Sequence, residues 1–165
     1  MSYLLDANVF ISAKNLHYGL DFCPAFWDWL IHGANTGRVL SIDKVADELV
    51  AGGDELATWA QGPGKALFRK TSAALAPQFA QVSAWASGQQ YAPAAVNQFL
   101  QVADYYLVAH ALAGEGHVVV TNEVVSTSPN RIKIPNACLG LGVRFLNTYQ
   151  MLRTEKARFV LEMAA

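Results

Sequence analysis

The chain is punctuated by short apolar runs that stop abruptly. Tyr3-Leu4-Leu5 ends at Asp6, Val39-Leu40-Ser41-Ile42 at Asp43, and Val118-Val119-Val120-Thr121 just before Asn122-Glu123. Val143 to Leu146 is a fourth such run. Brief, often β-branched runs without polar alternation predict strands buried on both faces, as in a parallel sheet. Between them the period becomes helical. Phe26, Trp27, Leu30, Ile31 and Ala34 recur at helical spacing behind Pro24, which suits a first helical turn, and Gly37 follows as a stop. Asp43 is placed to cap a helix over Lys44 to Ala51, ended by Gly52-Gly53. Residues 54–90 are Ala-rich and broken by Gly62-Pro63-Gly64 and Pro77, which predicts two or three helices. They read as a helical insertion at about 54–100, not as a second domain. A helix is expected from Asp104 to Ala113, an irregular stretch over 122–142, and a closing amphipathic helix from Tyr149 to Met163. Strands alternating with helices predict one α/β domain: a three-layer α/β/α sandwich around a central, mostly parallel sheet.

Composition narrows the field. With 165 residues, 53% hydrophobic and 15% charged, the chain can bury a core without staples and is not disordered. A formal net charge of −1 excludes binding nucleic acid by bulk positive charge, though not by local patches. Cys23 and Cys138 match no metal or redox spacing and fit a reducing cytoplasm. No charged segment followed by an apolar one opens the chain and no apolar run reaches 18 residues, so neither a signal peptide nor a membrane span is expected.

Four carboxylates stand where a solvated surface would not put them. Asp6 ends the first strand and Glu123 follows the third. Glu48 borders the apolar face formed by Val45, Ala46 and Leu49, and Asp104 shares a helical face with Leu107, Val108 and Ala111. A parallel sheet would bring Asp6 and Glu123 to one edge, within reach of the two helices. Acids gathered there repel one another and call for a cation, and oxygen-only ligands suit Mg²⁺ or Mn²⁺. Taken singly, each acid has a plainer reading: Asp6 as a helix cap, Glu48 as a solvated helix residue, Asp104 as a first-turn acid, Glu123 as a loop residue.

Four segments carry a resemblance: Tyr3-Leu4-Leu5-Asp6-Ala7-Asn8; Asp47-Glu48-Leu49; Ala103-Asp104-Tyr105-Tyr106-Leu107-Val108-Ala109-His110-Ala111-Leu112; and Val118-Val119-Val120-Thr121-Asn122-Glu123. In order and placement they resemble the signature segments of PIN-domain ribonucleases of the VapC-like kind. Lys133-Ile134-Pro135-Asn136-Ala137-Cys138 and the glutamate at 123 are similar to a bacterial PIN-like subgroup of DUF4411 type. The resemblance implies a PIN-like fold and a cytoplasmic Mg²⁺- or Mn²⁺-dependent endoribonuclease, the toxin of a toxin–antitoxin pair, leaving a 5′-phosphate. It implies Asp6, Glu48, Asp104 and Glu123 as catalytic metal ligands, with Asn8 and Thr121 supporting them by hydrogen bonds. A cognate antitoxin, helix-turn-helix or metallopeptidase-like, is the implied partner.

Lys65, Arg69 and Lys70 form one basic cluster, and Arg131 with Lys133 another; both are candidate RNA contacts. The apolar C-terminal helix suggests a homodimer. The alternative is a catalytically degenerate PIN-like module that acts through a protein partner, because Glu123 is a methylene longer than the commoner aspartate. A haloacid-dehalogenase-type phosphohydrolase would need a second Asp two positions after Asp6, where this chain has Asn8.

Overall fold

The computed structural model describes residues 1–163. Its strands are β1 (Ser2–Leu5), β2 (Val39–Ile42), β3 (Phe68–Arg69), β4 (His117–Val120) and β5 (Arg144–Leu146). They form one sheet in the order β3-β2-β1-β4-β5, and every pairing is parallel. The helices are α1 (Ala7–Ser12, running on into a wider turn over Ala13–His17), α2 (Pro24–Asn35), α3 (Asp43–Ala51), α4 (Glu55–Gln61), α5 (Ala76–Gly88), α6 (Pro93–Phe99), α7 (Ala103–Ala113), α8 (Ile134–Leu141) and α9 (Thr148–Thr154). They flank the sheet as an α/β/α sandwich. Tyr3, Leu5, Val39, Ile42, Val119 and Val120 are fully buried, which is why these strands read as unbroken apolar runs. No helix among the described residues is long and apolar enough to cross a membrane.

The register aligns the strand ends. Leu5 pairs with Val120, and Val120 with Leu146. Asp6, Thr121 and Asn147, the next residues along, therefore emerge side by side at the carboxyl edge. The chain moves outward through β2 and β3 on one side of β1 and through β4 and β5 on the other. The reversal of direction falls between β1 and β4, where open parallel sheets form their crevice.

Four expectations need correction. The closing helix stops at Thr154 instead of reaching Met163. Lys156 adopts φ 54°, a left-handed conformation that ends a helix. Glu155 is drawn back to the sheet by Arg38, at 2.7 and 3.0 Å, and by the Tyr3 hydroxyl at 2.6 Å. The homodimer argument therefore loses the helix it rested on. The stretch 122–142 contains α8, with Pro135 in its first turn and Gly142 as a left-handed cap at φ 71°. The 54–100 insertion contributes β3 as well as helices; two residues are too few to show a period. Asp43 is the first residue of α3, not its cap, and accepts from the Lys44 amide and from Thr71.

Helix α2 lies so close to β2 that a Cβ on Gly33 would sit 2.6 Å from Val39 Cγ2. A Cβ on Gly88, at the end of α5, meets nothing within 4 Å. Helix propensity favours alanine over glycine by about 1 kcal/mol, while overpacking costs about 1–3 kcal/mol. Urea unfolding should show Gly33→Ala destabilised by about 1 kcal/mol and Gly88→Ala unchanged or more stable. Equal gains at both sites would contradict the close packing of α2 on β2.

Candidate functional site

Asp6 is the innermost acid, only 5% exposed. Its position follows from the chain: β1 ends at Leu5 and α1 begins at Ala7, so Asp6 is the cap between them. One carboxylate oxygen accepts from the Ala7 amide at 2.7 Å and the other from the Thr121 hydroxyl at 2.9 Å. The capping role and a place in the acidic site are thus compatible. Thr121 Oγ1 also accepts from Asn8 Nδ2 at 3.3 Å and from the Glu123 amide at 3.1 Å. Donating once and accepting twice uses the full capacity of a hydroxyl. Asn8 Oδ1 in turn accepts from the Asn122 amide at 3.1 Å, and Asn122 Oδ1 accepts from the Thr148 hydroxyl at 2.9 Å. This chain of polar groups ties together the carboxyl ends of β1, β4 and β5.

The other acids surround this centre on three different elements. Asp104 is half-buried in the first turn of α7. Glu48, on α3, is exposed as a residue, and its carboxyl lines a cleft of about 190 Å³ with Asp104, Gln98 and Arg131. Glu123, half-buried, follows β4 and is heavily engaged. Its carboxylate accepts from the Ile134 amide at 2.9 Å, at the start of α8, and lies 3.5 Å from both Arg131 and Lys133.

Electrostatics show that these groups sense one another. Burial pushes the Asp6 carboxyl up to about 8, and the Asp104 and Glu123 charges push the same way against the bonds from Thr121 and Ala7. Burial, then the charges of Glu123 and Glu48, lifts Asp104 to about 6, while Arg131 pulls it back. Burial also raises Glu48. Cys138, buried on α8, has its thiol pushed up to about 12 by burial and then by Asp6, so it is inert packing. The donor set consists of carboxylate oxygens backed by hydroxyl and amide groups, which suits a hard divalent cation. Among the described residues no group of three or more His, Cys, Asp or Glu side chains is gathered closely enough to hold a metal ion.

The two basic clusters separate. Arg131 and Lys133 belong to the acidic site as partners of Glu123. Lys65, Arg69 and Lys70 are exposed near β3, with β2 between them and β1. Sequence reasoning overlooked Asn122 and Thr148 as the outer end of the polar network. It read Asp43 only as a helix cap, whereas its carboxylate holds the Thr71 hydroxyl at 2.6 Å, itself 3.2 Å from His110 Nε2. The available signal was position: Asn122 and Asp43 each stand within two residues of a strand's end.

A family model described as "Domain of unknown function (DUF4411)" matches residues 3–159. No curated protein and no solved structure matches the chain.

The raised carboxyls set a pH dependence. A carboxyl whose folded pKa exceeds its unfolded one contributes stability that is complete below about pH 4 and is lost as pH rises through the folded value. Without added divalent ions, stability should therefore fall as pH rises through about 6 for Asp104 and about 8 for Asp6. Asp6→Asn removes its share of that slope. Melting curves in chelator should match wild type near pH 5 and run several degrees higher, roughly, at pH 8. A variant that melts lower at pH 8 would make the Asp6 anion a structural cap and nothing more.

Proposed function

The chain belongs to the DUF4411 family, whose description carries no activity, and we propose that it is a Mg²⁺- or Mn²⁺-dependent endoribonuclease acting as the toxin of a toxin–antitoxin pair. The observation that supports the reading is the approach of Asp6, Asp104 and Glu123 at the β1/β4 reversal, near enough that Asp104 and Glu123 act on Asp6, with Glu48 acting on Asp104 from the cleft wall. Like-charged carboxylates brought together around the buried Asp6 cost stability unless something pairs with them. The choice of RNA, and the toxin role, rest on the likeness of the four segments to PIN-domain ribonucleases.

In this reading Asp6 and Asp104 hold the ion and Glu48 completes the site from the cleft wall. A bound divalent cation supplies Lewis-acid polarisation of the phosphate and a water acidified towards neutrality. Thr121 and Asn8 keep the Asp6 carboxylate in one orientation, so that no reorganisation accompanies binding. Arg131 borders the same cleft, and its guanidinium can meet a phosphate oxygen. Glu123, anchored to the start of α8, would orient the attacking water or a second ion.

One observation favours the alternative, a PIN-like binding module that acts through a protein partner: Glu123 already has two cations and a backbone amide as partners. The two readings divide on simple measurements. Wild-type protein should cleave single-stranded RNA with Mg²⁺ or Mn²⁺ and not in chelator. Divalent ions at about 100 times their Kd should stabilise it by about 2.7 kcal/mol. Asp6→Asn and Asp104→Asn should each lower cleavage by about a hundredfold or more while remaining folded. A wild-type chain that neither cleaves RNA nor melts later with divalent ions would be the binding module.

A further inference from the structure

A second concavity, of about 320 Å³, shares the loop after β4 with the acidic cleft and differs from it in kind. Its walls are Gln89, Gln90 and Tyr91, between α5 and α6, and Ser126, Thr127 and Ser128, in the loop after β4. None of these residues is charged, so the pocket suits neither a phosphate nor a metal ion. It offers instead a flat aromatic ring with amides and hydroxyls around it. Tyr91 is half-buried, and its ring packs against Trp85, tilted by 59° with the centroids 6.0 Å apart. Gln89, Gln90 and Thr127 are exposed, and their polar ends face solvent with no protein partner among the described residues.

The opposite wall is held rigid by its own bonds. Asn136 accepts from the Ser126 amide at 3.0 Å and donates to the Ser126 carbonyl at 2.8 Å. Ser126 Oγ accepts from the Ser128 amide at 3.1 Å. The Pro129 carbonyl accepts from the Ala92 amide at 2.9 Å, which joins the loop to the start of α6. The same two elements continue into the acidic cleft, where Gln98 of α6 and Arg131 of the loop are wall residues. Pro129 and Arg131 are two residues apart, at most about 7 Å along the chain. A ligand reaching both pockets would therefore meet a charged group at Arg131 and, in the second pocket, an aromatic ring with neutral hydrogen-bonding groups.

That is the chemistry of a single-stranded nucleic acid, whose bases are bound by stacking on aromatic rings and by hydrogen bonds to their edges. We infer that the pocket of Tyr91, Gln89, Gln90 and Thr127 receives one unstacked base of a single-stranded RNA, adjacent to the phosphate at the acidic cleft. The inference rests on the nuclease reading for the identity of the strand. The base stacks on Tyr91, and the two glutamine amides read its edge. The pocket volume lies at the small end of the roughly 300–1,000 Å³ typical of ligand sites, enough for one base and not for a duplex.

The test uses fluorescein-labelled heptanucleotide RNAs in chelator, so that none is cut, including a set with a single abasic ribose at each position in turn. Fluorescence anisotropy should show one position at which loss of the base weakens wild-type binding roughly tenfold or more. That dependence should vanish in Tyr91→Ala, persist in Tyr91→Phe, and shrink in Gln90→Ala. Gln90 is exposed, so its variant answers even if Tyr91→Ala misfolds. Equal affinity for every abasic RNA, or Tyr91→Ala binding as wild type does, overturns the subsite. Cleavage of a long unlabelled RNA with Mn²⁺ is scored separately. Cutting without position dependence leaves the nuclease standing and the subsite refuted. Position dependence without cutting does the reverse, and the absence of both refutes the nuclease and the subsite together.

Discussion

The structure turns on one unfavourable interaction, a carboxylate held inside the protein beside other carboxylates. Asp6 is almost wholly buried, and Asp104 and Glu123 act on it with like charge. Burying an ion without a partner is costly, and burying it beside its like is more so. The fold nevertheless holds Asp6 there with care. The Thr121 hydroxyl is saturated in its service, Asn8 braces Thr121, and Asn122 and Thr148 brace Asn8. A surface acid would need none of this. The arrangement makes sense if the repulsion is relieved by a cation in the working protein.

The four acids are not equivalent, and environment separates them. Asp6 and Asp104 are the ones whose anions the protein disfavours, so a bound cation would gain most from them. Glu48 lines the wall of the cleft and is exposed. Glu123 is compensated from within by Arg131, Lys133 and the first amide of α8. Glu123 is thus the acid most committed to protein contacts. Arg131 serves both sides, partnering Glu123 and drawing down the pKa of Asp104.

The central fold was legible because the strands obey one rule. A strand buried on both faces must be apolar throughout, and each such run ends where the sheet ends, so the acids after β1 and β4 could be placed at one edge before any coordinates. What escaped was set by tertiary contacts. The C-terminal residues carry helical propensity, but the bonds from Glu155 to Arg38 and Tyr3 draw the chain out of the helix at Thr154. Two residues of β3 leave no period to detect. Helix α8 was signalled by Pro135 and Gly142, but the surrounding glycines and prolines read more strongly as loop. The acids were visible as candidates; the cations that pair with Glu123 were visible only as an exposed basic pair, since ten residues of loop hide the contact.

The most direct measurement is a crystal soaked in Mn²⁺ at pH 8, read by anomalous difference density. The account predicts a peak between the Asp6 and Asp104 carboxylates, within oxygen-ligand distance of about 2.0–2.6 Å from each, with Thr121 still bonded to Asp6. A map without density there, in a crystal where Mn²⁺ has bound at other sites, would contradict it.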